Sequence, residues 1–216
     1  MSGLAVHRPV REDVRVVLPG GTAPPAAVPS QMFTAAADAY TSGRRLDMQS
    51  LARRLGVGRA TLYRRAGNRE DLLDQVIWWR TRRVLTLQLL IAGRKSGADR
   101  IAAVVGGMLR GIEADKPLRA FIQSDPDTAL RILTGRSVTV AGLTAALERL
   151  IDLERSRGRF DAELDTSALA DAIMRISSGF LYADVFANRA PDSGRAVTVI
   201  RALLAGLDRT EPTQVR

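Results

Sequence analysis

Cysteine is absent from the 216 residues, and histidine occurs once, as His7. The first absence excludes disulfides and thiolate metal sites. The second removes most catalytic triads and zinc centres, because His7 falls in a proline-bearing stretch expected to be disordered. Aromatic residues make up only 5% of the chain. Lysine occurs only as Lys95 and Lys116, so nearly all the basic charge is arginine, a bias that suggests a GC-rich genome. Long apolar runs are missing too: none approaches the roughly 18 residues needed to cross a bilayer. The N-terminus lacks the charged-then-apolar order of a signal peptide. A cytoplasmic protein is expected, with no metal, no cofactor and no membrane partner. Strand patterns are nearly absent, with Val14–Leu18 the sole candidate, and no internal repeat is present. The expected fold class is all-α.

What remains is charge, unevenly spread. The net charge is +9. Residues 1–83 hold 14 arginines against seven acids, whereas residues 84–216 hold 18 bases against 16 acids. A basic front ahead of a nearly neutral remainder suggests that the front meets a polyanion. Residues 1–28 read as a flexible basic arm. Pro9, Pro19, Pro24, Pro25 and Gly20-Gly21 argue against a long helix there. Arg8, Arg11 and Arg15 would suit a minor groove.

The most specific stretch is Leu46–Leu73, LDMQSLARRLGVGRATLYRRAGNREDLL. A helix over 30–43 precedes it, with Phe33, Ala36, Ala37 and Tyr40 on one face. Asp47 is a good N-cap for a helix carrying Met48, Leu51, Ala52 and Leu55. Gly56 ends that helix in the left-handed conformation that glycine adopts cheaply. Val57 is expected to plug the space before a short helix at 59–65, anchored by Leu62. Asn68 caps a further helix, with Glu70 and Asp71 in its first turn, running to about Ile91. This is a helix-turn-helix with eight arginines between Arg44 and Arg69 and one acid, Asp47. Arg59, Ala60 and Arg64, opposite Leu62, are placed to read base edges in double-stranded DNA. Thr61, Tyr63, Arg65, Arg69, Arg44 and Arg45 are the candidate phosphate contacts.

These residues resemble the TetR family of bacterial transcription repressors. Ala52, Leu55-Gly56-Val57, Thr61-Leu62-Tyr63, Asn68 and Leu72 fall where that family's recognition segment has its pattern. The late segment FLYADVFANRAPD is similar to the QsdR-type branch, which is linked to lactone signal degradation. The departures are specific. Gly58 replaces a capping serine, and Arg65-Ala66 replaces a pair with an aromatic plug. Arg69 replaces lysine, and Asp47 stands where a phosphate-contacting threonine is common, so Asp47 is assigned to capping alone.

The resemblance implies a three-helix head at 29–75, a helical effector-binding and dimerisation body at 76–208 and a tail at 209–216. It further implies a homodimer whose two heads read a palindrome. Ile173, Ile176, Ser177, Phe180 and Tyr182, then Val197, Ile200, Leu203, Leu204 and Leu207, are the candidate dimer surface, though the same stripes suit a monomer core. Trp79, Gln88, Met108, Phe121, Gln123 and Phe180 are candidate liners for a small apolar or amphipathic effector. The expected function is repression relieved when the effector repositions the helix that starts at Asn68. Two other readings stay open. One is an architectural DNA binder with no effector. The other is a helical enzyme, for which Tyr182 and Asp184 are the late polar residues of interest.

Overall fold

The computed structural model describes residues 7–26, 28–186 and 192–209, with side chains from residue 11 to 182 and from 192 to 209. Eleven α-helices and one 3-10 turn account for the regular structure of these residues. None of the helices is long and apolar enough to cross a membrane. The chain forms two compact units. A head unit comprises residues 22–83 and 114–142, and a body unit comprises residues 1–21, 84–113 and 143–216.

In the head, α2 (Ser30–Thr41) buries Phe33, Ala36, Ala37 and Tyr40 on the face that the sequence spacing predicts. Its neighbours α3 (Met48–Leu55) and α4 (Arg59–Ala66) form the helix-turn-helix. The turn follows from local chemistry. Asp47 caps α3, accepting hydrogen bonds from the Ser50 N–H at 2.8 Å and the Gln49 N–H at 3.3 Å. Gly56 sits at φ 63°, ψ 28°, a left-handed conformation that costs glycine little. At Gly58 the entry to α4 has no side-chain cap, as the missing serine predicts. Leu62 is fully buried and fixes α4 against the head core.

Next, α5 (Arg69–Ile91) opens with a reciprocal cap. The Asp71 N–H donates to Asn68 Oδ1 at 2.9 Å, and the Asn68 N–H donates to Asp71 Oδ2 at 3.0 Å. Leu72, Leu73, Val76 and Ile77 bury its inner face. Residues 84–91 of the same helix belong to the body unit. The head also contains α7 (Lys116–Ser124), α8 (Pro126–Thr134) and the first residues of α9 (Val138–Ser156). It is therefore larger than the 29–75 segment expected from sequence.

The body is built from α1 (His7–Val17), α6 (Gly97–Glu113), the rest of α9, α10 (Thr166–Phe186) and α11 (Ser193–Leu207). Helix α1 corrects the reading of residues 1–28 as a flexible arm. Pro9 is its third residue, in the first turn, where a missing N–H breaks no intrahelical bond. Val14–Leu18, the one strand candidate, forms the end of this helix and the bend after it, with Val17 and Leu18 buried.

A buried charge cluster ties α1 to α6 and α9. Arg100, 1% exposed, lies 2.7 Å from Glu154 and 2.7 Å from Asp13. Arg157 adds a second guanidinium to Asp13. The second Glu154 oxygen accepts the Gly97 N–H at 2.7 Å. Burial alone would raise the Asp13 pKa, but the hydrogen bonds from Arg157 and Arg100 outweigh it and hold the group below the usual carboxylate range.

Close helix packing in the body rests on small residues. A Cβ on Gly106 of α6 would lie 2.9 Å from Val197 of α11, and one on Gly107 would lie 1.9 Å from the Gln88 side chain. Residues 1–6, 27, 187–191 and 210–216 lie outside the described set. With them go most of the predicted tail and part of the QsdR-like segment. The Asp184 side chain, named for the enzyme reading, also lies outside it.

Candidate nucleic-acid interface and ligand cavity

Because Leu62 and Ala66 point into the head core, the opposite face of α4 is left to solvent. Arg59, Ala60, Tyr63, Arg64 and Arg65 are all exposed, while Thr61 is half-buried. A single short helix thus presents three arginines and a phenol, the groups suited to guanine edges and phosphate oxygens. Arg44 and Arg45, in the loop before α3, are exposed as well.

The pairing of these arginines separates those left for a ligand from those that hold the fold. Of the eight arginines between 44 and 69, only Arg69 forms an ion pair among the described residues. The other seven leave their charge to solvent or to a polyanion. Asp47, the one acid of the stretch before Glu70, is taken up by the Ser50 hydroxyl and by the capping N–H groups of Ser50 and Gln49, which hold its pKa below the usual carboxylate range. Its charge faces the start of α3 rather than a phosphate.

Arg69 differs from the other seven. Its guanidinium lies 2.6 Å from the Asp125 carboxylate, and its Nε donates to the Leu46 carbonyl at 2.8 Å. Both bonds are internal to the head, so the side chain braces the head in this structure. The bond to Leu46 ties the start of α5 to the loop that leads into α3.

Three helix N-termini are held from α5 in the same manner. Asp125, the N-cap of α8, pairs with Arg69. Asp115, the N-cap of α7, pairs with Arg80 at 3.1 Å. Asp74 of α5 accepts the Val138 N–H at 2.6 Å and the Thr139 N–H at 3.0 Å at the start of α9. None of these links was visible in sequence, since each joins helices far apart along the chain.

The body unit contains a cavity of about 70 Å³. Aliphatic side chains of α6, α9 and α10 make most of its wall, among them Val105, Leu147 and Ile173. Val17 of α1 and Leu85 of α5 complete it. The polar groups on the wall are Ser177, Ser178 and Tyr182, all on α10. Burial pushes the Tyr182 phenol above its ordinary pKa of 10, so it stays protonated at neutral pH.

Of the predicted cavity liners, Met108 alone lies on this wall. Trp79 belongs to the head, where it packs edge-on against Phe33 at 5.5 Å and donates to the Thr22 carbonyl at 3.0 Å. Phe121 is also in the head, packed against Tyr40 at 6.0 Å, and Gln123 is exposed on α7. Gln88 covers Gly107, and Phe180 is half-buried away from the cavity. The predicted dimer stripe divides too. Ile173, Tyr182, Ile200 and Leu204 are buried within the body of one chain. Ser177 is half-buried on the cavity wall. Ile176, Phe180, Val197, Leu203 and Leu207 are half-buried.

Comparison with known proteins agrees with both halves of this geometry. Residues 44–76, the helix-turn-helix and the start of α5, match the family model for bacterial regulatory proteins of the tetR family. Residues 96–205, half of the chain, match the tetracyclin repressor-like C-terminal domain. Compared by sequence with curated proteins, the chain has no match. Among solved structures it is similar to the R. erythropolis transcriptional repressor QsdR, from the TetR family. That match has 29% identity and a TM-score of 0.74, over 84% of this chain and 96% of that one. The fatty acid degradation regulator FadR from Bacillus halodurans shares the fold at 20% identity and a TM-score of 0.53, with the same coverage. With both family segments in place, one on the arginine-bearing head and one on the helical body, the chain belongs to the TetR family of DNA-binding regulators.

Proposed function

We propose that this regulator is a repressor that binds a palindromic operator as a homodimer and leaves it when a small ligand enters the body cavity. The observation that carries the DNA half is the exposed face of α4, whose arginines lack acidic partners among the described residues. Arg59, Ala60 and Arg64 read bases, while Tyr63, Arg65, Thr61, Arg44 and Arg45 hold phosphates. Repression as the direction of control is supported by the similarity to QsdR, a transcriptional repressor.

One short helix reads few base pairs, so two heads related by a two-fold axis are needed for an operator. The outward faces of α10 and α11 suit that pairing. Ile176 and Phe180 on α10, and Val199 and Leu203 on α11, remain partly exposed in the single chain. Nothing lies within 4 Å of a Cβ placed on Gly179 or Gly206, which leaves room for a partner's helices to approach closely.

Release works through α9 and α5 together. Leu143, Ala146 and Leu147 of α9 line the cavity, and the start of the same helix is held by Asp74 of α5. A ligand that prefers a shifted α9 therefore pulls on α5, whose first residue is braced to the loop before α3. The ligand must bind the DNA-free arrangement more tightly for this to act as a switch.

Mobility-shift titration with an operator selected from random duplexes tests the DNA assignment. Alanine at Arg59 or Arg64 is expected to cost about 1–3 kcal/mol of operator affinity. Unchanged binding by the Tyr63→Ala, Arg64→Ala double variant would remove the residue assignment.

A further inference from the structure

Seventeen residues line the body cavity, and none is Lys, Arg, His, Asp or Glu. Fourteen are aliphatic or methionine. The three hydroxyl groups sit within six residues of each other on α10, so polarity is confined to one wall. Arg149, whose guanidinium donates to the Val17 carbonyl at 3.4 Å, is not on the wall. Such a lining cannot offer an ion the partners it would lose on leaving water. It can satisfy a single hydroxyl or carbonyl oxygen through Ser177, Ser178 and the neutral Tyr182 phenol.

We propose, resting on the reading of this cavity as the effector site, that it takes a small uncharged ligand with an aliphatic body and one oxygen-bearing group, and rejects the corresponding carboxylate. The aliphatic part lies against α6 and α9, and the oxygen faces α10. Val17 adds a wall from α1, a helix outside both matched family segments. The volume of about 70 Å³ favours a short chain over a long one.

Two methionines on the wall, Met108 and Met174, provide a direct readout, and Met32 and Met48 in the head serve as controls. The full-length chain, labelled on its methionine methyl groups, is titrated with 1-hexanol and separately with hexanoate at pH 8, followed by NMR. Hexanol is expected to shift Met108 and Met174 in a saturable manner while Met32 and Met48 stay in place. Hexanoate is expected to bind at least about tenfold more weakly, because its charge finds no partner on the wall. Ala146→Leu, which fills part of the cavity, is expected to weaken hexanol binding. Val17→Leu fills it from α1 and serves if the first variant does not fold. Equal affinity for hexanol and hexanoate overturns the uncharged class while leaving the effector site standing. No shift at Met108 or Met174 with either compound overturns the effector site itself, as does hexanol binding that neither filling variant weakens.

Discussion

The Asp74 carboxylate meets Thr139 twice. The Asp74 carboxylate accepts both the backbone N–H of Thr139 at 3.0 Å and its hydroxyl at 2.6 Å, and a third bond comes from the Val138 N–H. Asp74 thereby caps a helix more than sixty residues further along the chain. An orphan N–H at a helix start needs such an acceptor, and a carboxylate there also meets the positive end of the helix dipole.

Removing this cap leaves the buried N–H and hydroxyl of Thr139 without the carboxylate that accepts them. Asp74→Ala is expected to destabilise the fold by about 1–3 kcal/mol in urea or guanidinium titration. Asp74→Asn, which keeps an acceptor oxygen, is expected to recover part of that loss. If α9 carries the ligand signal to α5, either variant also weakens the coupling between ligand and operator. Full stability in the alanine variant would show that the cap carries no energy.

Arg69 and Arg64 separate bracing from DNA binding. Removing one arginine that neutralises a phosphate is expected to reduce the slope of log affinity against log salt by roughly one. Arg65→Ala, at a proposed phosphate contact, is therefore expected to flatten that slope. Arg64→Ala acts mainly on base preference. Arg69→Ala leaves the salt slope unchanged, because its guanidinium is already spent on Asp125 and the Leu46 carbonyl. It lowers the melting temperature instead. A flattened slope in Arg69→Ala would return that residue to the DNA-binding set.

The buried cluster around Arg100 predicts an asymmetry between single and combined changes. Arg100→Met leaves Asp13 and Glu154 without their shared partner, at a cost of about 3–5 kcal/mol. Replacing all three by apolar residues of similar volume is expected to recover most of it. Denaturant titration of the two variants checks the difference. An equal loss in both would show that the charges stabilise the fold in their own right.

Acid should loosen α1 through the same cluster. The folded pKa of Asp13 is lowered from 3.8, so its contribution is present above that value and is lost as pH falls through the lower, folded value. Thermal melts between pH 5 and pH 2 are expected to show a steeper loss for the native chain than for Asp13→Asn. Parallel curves would contradict the assignment.

Much of the head was legible because its signals are local. Asp47, Gly56 and Asn68 each act on backbone groups within a few residues, and each takes the position that its chemistry predicts. The helix at 69–91 likewise follows from uninterrupted periodicity. Helix α1 was hidden for the opposite reason. Prolines count against a helix there, whereas Pro9 sits where a helix tolerates one, and Asp13 finds its partners at Arg100 and Arg157. The cavity wall differs from the expected one because helical spacing shows which face is buried, not which unit it is buried in. Phe121 and Trp79 are apolar for the sake of the head. Ile173 and Ile200, whose stripes suited either a partner chain or a monomer core, fill the body of their own chain.

Selection from a library of random duplexes, with the full-length chain and sequencing of what it retains, tests whether α4 reads DNA sequence. Enrichment of an inverted repeat is expected, with half-sites about one helical turn, or a multiple of it, apart. Arg59→Ala and Arg64→Ala are each expected to relax the preference at fixed positions in the half-site. Tight binding that retains duplexes as random as those supplied would contradict sequence reading by α4.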